Sequence, residues 1–159
     1  MKGSVSVVAV LSVAVFFLLC FPVFSQEAIQ VQPSSDGKIE ASVTQAKVRG
    51  NVLTVMIKLK NTTDGSLEPE LRFQEFYVTD VKDKKKYFPL KDSKGVILAG
   101  PQHYDWGGGT FKGRIKGGEF MTIWAKFPAP PEATETVDLF IPGIMPFEDL
   151  PLSRSPAKE

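Results

Sequence analysis

Residues 119–142 contain two runs in which apolar side chains recur at every second position. Met121, Ile123, Ala125 and Phe127 share one face of the first run; Val137, Leu139 and Ile141 share one face of the second. A period of two is what a strand with one buried face requires, and it does not fit a helix. Pro128, Pro130 and Pro131 follow the first run and cannot donate to a ladder, so the pattern predicts two paired strands joined by a proline-rich connection.

The rest of the chain reads as further strands around the same core. Ile39, Ala41 and Val43 alternate with polar residues, and Leu53, Val55, Ile57 and Leu59 do so more strictly. Arg49-Gly50-Asn51 lies between these runs, and Gly50 and Asn51 tolerate positive φ, which predicts a hairpin. The second run stops at Asn61-Thr62-Thr63-Asp64-Gly65-Ser66, a turn by composition that also contains a glycosylation sequon. Residues 71–81 read as one aromatic strand, 82–86 as a solvated charged hairpin tip leading into Tyr87-Phe88-Pro89-Leu90, 92–95 as a turn, 96–98 as a short strand and 110–115 as a return to strand. No long amphipathic helix and no internal repeat is visible after the first 25 residues. The expected fold is all-β: one immunoglobulin-like antiparallel β-sandwich of about seven to eight strands over residues 38–152. A flexible polar lead-in at 26–37 precedes it, and a frayed tail at 153–159 follows.

The first 25 residues are read apart from that core. Lys2 and an apolar run to Phe24 have the charged start and apolar middle of a secretory signal, and Val23 and Ser25 fit the positions before a cleavage site. The expected mature chain begins at Gln26 and is periplasmic or secreted, with no membrane span after cleavage. A retained leader would instead be an anchor, since the run approaches the ~20 residues that span a bilayer. Lipid attachment at Cys20 is a further alternative, opposed by bulky Leu19. Cys20 is the only cysteine, so cleavage leaves no disulfide and the fold must rest on apolar burial. Cleavage also removes Lys2 and none of the 18 acidic residues. The near-neutral balance argues against nucleic acid or an anionic membrane surface as the obvious partner.

Chemistry-bearing constellations are sparse. His103 is the only histidine, and without cysteines a transition-metal centre is not expected. His103 with Asp105 could form part of a hydrolase triad, but no serine sits in a nucleophile elbow. Asp80, Asp83 and Asp92 could converge on calcium, yet their spacing fits no EF-hand and lysines interleave them, so surface solubility is the better account. Gly107-Gly108-Gly109 lacks the Gly-Lys-Ser/Thr and helix of a phosphate loop. No cofactor is expected. The glycine-rich loop 100–109 is the place to look for binding, through His103, Tyr104, Asp105 and Trp106; exposed aromatics there would grip a peptide or stack on a sugar.

At Trp124-Ala125-Lys126-Phe127-Pro128-Ala129-Pro130-Pro131 and Thr136-Val137-Asp138-Leu139-Phe140-Ile141-Pro142, the chain resembles small exported bacterial domains of immunoglobulin-like type, the DUF4352-like group. It is also similar to the sandwich that precedes OmpA-type domains in some envelope proteins. The resemblance spans roughly residues 39–152, including the Gly50-Asn51 hairpin and Tyr87-Phe88-Pro89-Leu90. It implies an antiparallel sandwich with an extracytoplasmic, non-enzymatic role and transfers no binding residues. Peptidoglycan binding does not carry over, because the chain ends soon after the sandwich. The expected function is an exported binding or structural module of the bacterial envelope, with another envelope or secreted protein as partner. A carbohydrate-binding module using the same loop aromatics is the alternative.

Overall fold

A computed structural model describes residues 27–102 and 109–155. Among them the chain is all-β. In chain order the strands are β1 (Gln30–Pro33), β2 (Ile39–Arg49), β3 (Val52–Asn61), β4 (Glu70–Arg72), β5 (Tyr77–Asp80), β6 (Lys85–Tyr87), β7 (Ala99–Gly100), β8 (Thr110–Lys112), β9 (Phe120–Pro128), β10 (Thr136–Phe140), β11 (Phe147–Pro151) and β12 (Ser153–Ser155), with one 3-10 turn at Phe73–Glu75. Twelve strands exceed the expected seven to eight because five of them, β4, β6, β7, β8 and β12, are only two or three residues long. That is too short for alternation to register. No helix among the described residues is long and apolar enough to cross a membrane.

A six-stranded sheet runs β1-β2-β3-β9-β7, with β12 also on β2; a four-stranded sheet runs β11-β10-β5-β6, and β4 pairs with β8 in a small ribbon. The sheets close over a single apolar core in which Phe73, Phe76, Phe111, Phe127 and Phe147 are fully buried. Leu53, Val55, Ile57 and Leu59 of β3 all face inward, as their alternation predicts. Gly50, at φ 53°, makes the β2–β3 turn. Along β2 the inward positions pass from Ala41 and Val43 to Ala46 and Val48, a change of parity. A register shift between Val43 and Gln45 supplies the extra residue, so both halves of the strand face the core.

Three expectations of the sequence are corrected. First, the two runs of 119–142 do not pair with each other. β9 lies between β3 and β7, whereas β10 lies between β5 and β11, so the proline-rich connection crosses from one sheet to the other. Alternation specifies which face is buried but not which strand lies alongside.

Second, residues 71–81 are not one strand. Phe73 and Phe76 are both fully buried, and a spacing of three would turn them to opposite faces of a continuous strand. The 3-10 turn absorbs the mismatch, and the two rings meet edge to face at 5.2 Å.

Third, part of each expected flexible end, Gln30–Pro33 and Ser153–Ser155, joins the sheet. β1 pairs antiparallel with residues 40–43 of β2, and β12 pairs parallel with residues 47–49 along the same edge. The first is also tied to the far sheet, through Met145 N–H to the Pro33 carbonyl (3.0 Å) and Gln30 Nε2 to the Glu148 carbonyl (3.1 Å). Polar composition hid these strands because an edge strand needs main-chain partners more than apolar side chains.

Candidate functional site

The four residues expected to bind a partner, His103, Tyr104, Asp105 and Trp106, lie outside the described residues. The stems of their loop are described, and one side chain joins them. Gln102 donates from Nε2 to the carbonyls of Ile97 (2.5 Å) and Ala99 (2.7 Å), while its Oε1 accepts the Gly109 N–H (2.7 Å). An amide can do this because it carries donors and an acceptor on one planar group. The far stem is fixed in turn by Phe73 N–H donating to the Gly109 carbonyl (2.7 Å). Gly109 holds φ 81°, and a Cβ there would meet Gln74 Oε1 at 2.8 Å, so this stem requires glycine. At the near stem the Trp124 indole lies against Gly100, where a Cβ would come within 3.0 Å of the ring. Gln102 and Gly109 are therefore bonded to each other, and both are tied to neighbouring strands and turns.

The polar groups that chemistry would recruit elsewhere are committed to holding turns. Asn61 is 0% exposed. Its Nδ2 donates to the carbonyls of Gly65 (2.6 Å) and Ile115 (2.9 Å), and its Oδ1 accepts the Thr63 N–H (2.9 Å) and hydroxyl (2.8 Å). With every polar site of the amide used, the sequon Asn61-Thr62-Thr63 is a buried turn lock and not an acceptor in the folded chain.

Asp80 is equally committed. It is 1% exposed, accepts the Thr134 hydroxyl and the Asp83 N–H (3.1 Å), and so is not the solvated surface charge that sequence composition suggests. The Thr134 hydroxyl holds the Asp80 carboxyl below its ordinary pKa against the opposing effect of burial, helped by the amides of Asp83 and Lys82. Asp92 folds its carboxylate onto the amides of Lys94 (2.8 Å) and Val96 (2.9 Å). Among the described residues no three Asp, Glu, His or Cys side chains gather as a metal site would require.

One surface feature escaped the sequence reading. Tyr77 and Phe140 stack at 4.7 Å and 16° on the outer face of the four-stranded sheet, and Phe88 follows Tyr77 at 6.0 Å. Their signal was available: each sits one position out of phase with buried neighbours such as Phe76, Tyr87 and Leu139. Lys86 Nζ lies 4.0 Å from the centroid of Tyr77, opposite in role to the stacked Phe140, so the Tyr77 ring is already engaged by its neighbours. A sugar platform needs an open ring face, which Tyr77 does not offer.

No family model matches the chain, and no curated protein or solved structure matches it.

Proposed function

We propose that the chain is an exported, non-enzymatic binding module of a bacterial cell envelope, akin to the DUF4352-like immunoglobulin-like domains, with the leader cleaved after Ser25. The observation that carries this reading is the Gln102 clamp: one side chain bonds Ile97, Ala99 and Gly109, the residues on either side of a glycine-rich, aromatic-bearing segment, an anchorage that suits a binding loop on a rigid scaffold. The commitment of Asn61, Asp80 and Asp92 to turns fits the same reading, because catalytic groups are usually free to meet a substrate. The partner is another envelope or secreted protein, contacted through His103, Tyr104, Asp105 and Trp106.

The test is capture from an envelope extract by the wild-type chain and by Tyr104→Ala/Trp106→Ala. The double variant should lose the partner at least tenfold, as expected when interface aromatics are removed, while its thermal melt stays within a degree or two of wild type. Equal capture would remove the loop from consideration. A saturable signal on a glycan array without any protein partner would replace the protein by a carbohydrate.

A further inference from the structure

Near-neutral net charge conceals how the charges are placed. The registers of β2, β3 and β9 put Lys47, Arg49, Lys58, Lys60 and Lys126 on the outer face of the six-stranded sheet, with Glu40 the single carboxylate among those three strands' outward positions. Among the described residues none of the five cations is in an ion pair. Elsewhere Lys38, Arg72, Lys112, Arg114 and Lys116 each face a carboxylate. Lys60 stands opposite Glu40 in the ladder, while the other four cations have no carboxylate as a cross-strand neighbour, which leaves a local positive potential that the whole-chain average cancels.

The same face carries exposed apolar side chains. Phe120 is 56% exposed with Lys58 Nζ 3.6 Å from its ring centroid, and Val31 of β1, paired with outward-facing Ser42, is 46% exposed. Cations mixed with apolar groups on a broad sheet face suit a surface that is anionic at its headgroups and apolar just beneath.

We propose that the outer face of the six-stranded sheet docks on the anionic surface of a phospholipid membrane. The inference rests on the export reading for its choice of membrane over nucleic acid, since both are polyanions. Export is checked separately, by whether the mature chain begins at Gln26.

Flotation of the chain from Gln26, which holds every core residue, with phosphatidylcholine vesicles tests the proposal. Binding is expected when the vesicles contain phosphatidylglycerol and not without it, and should fall as salt is added. Each neutralised cation should weaken binding roughly fivefold. Lys47→Gln/Arg49→Gln/Lys126→Gln should therefore lose about a hundredfold, whereas Lys82→Gln/Lys84→Gln/Lys85→Gln, an equal charge change at the hairpin tip, should stay within about twofold. If the first variant does not fold, Lys58→Gln/Lys60→Gln takes its place, with an expected loss of about 25-fold. Three results overturn the proposal: no binding to phosphatidylglycerol vesicles, equal loss in the two triple variants, or tighter binding of a single-stranded oligonucleotide than of the vesicles through the same lysines.

Discussion

The two sheets enclose one core but are held together differently. In the six-stranded sheet β2, β3 and β9 are 11, 10 and 9 residues long and share continuous antiparallel ladders. In the four-stranded sheet the strands have three to five residues, and β10–β11 breaks register between Val137 and Leu139. Side chains supply the missing bonds there: Thr134 to Asp80, and the Asp149 N–H to Asp138 Oδ1 at 2.9 Å. Long strands are fixed by their main chain, whereas short ones depend on particular polar side chains. Substitutions outside the core should therefore be tolerated in the first sheet and felt in the second.

The severest challenge to that contrast comes from the core itself, where the sheets should behave alike. Phe127 of β9 and Leu139 of β10 are both fully buried, one from each sheet. Phe127→Ala should cost about 3–5 kcal/mol and Leu139→Ala about 2–5 kcal/mol. Each should leave a single urea transition of unchanged slope, since one core unfolds as one unit. Two separated transitions in either variant would mean that the sheets are independent.

What the sequence made legible follows from the same division. Leu53 to Leu59 could be read directly because a long half-buried strand shows its period several times. The partner of β10 could not, because Val137 and Leu139 bury the same face whichever strand lies beside them. Phe73 and Phe76 signalled a break through their spacing of three, but aromatic content masked it. Of the candidate site, the loop's composition was legible and its clamp was not: Gln102 becomes significant only when Ile97, Ala99 and Gly109 converge on it. Charge segregation was hidden for a similar reason, since Lys47, Lys58 and Lys126 share a face only through strand register.

Asp80 offers a smaller and pH-dependent test. Asp80→Ala leaves the buried Thr134 hydroxyl without its acceptor and should cost about 1–3 kcal/mol near neutral pH. Because the folded carboxyl is held below its ordinary value, the unfolded chain takes up the proton first as the solution is acidified. The carboxylate's contribution is complete above the unfolded value near 4 and is lost as pH falls through the lower folded value. Urea midpoints measured from neutral pH downward should therefore drop more steeply for wild type than for Asp80→Asn, converging below pH 4. Parallel curves would show that the Thr134 bond does not depend on the charge.

The smallest expected effect lies where the two kinds of sheet meet. Arg154 belongs to β12, on the edge of the six-stranded sheet, yet its Nη2 donates to the carbonyls of Pro131 (2.7 Å) and Thr134 (3.0 Å) in the crossing that leads to β10. Those carbonyls lie in a proline-rich segment that has few N–H groups of its own with which to organise, so a guanidinium with several donors substitutes for a ladder. Arg154→Ala should cost about 1 kcal/mol, the net worth of an ordinary hydrogen bond, because solvent around a partly exposed guanidinium offsets the added strength of a charged donor. Amide exchange should show where that loss falls. Faster exchange at Thr134, with the β2–β3 ladder unchanged, would show the joint opening by itself, as expected if the long strands need no side-chain support. Faster exchange throughout β2 would instead make β12 a brace for the six-stranded sheet, and the contrast between the sheets would fail at its edge.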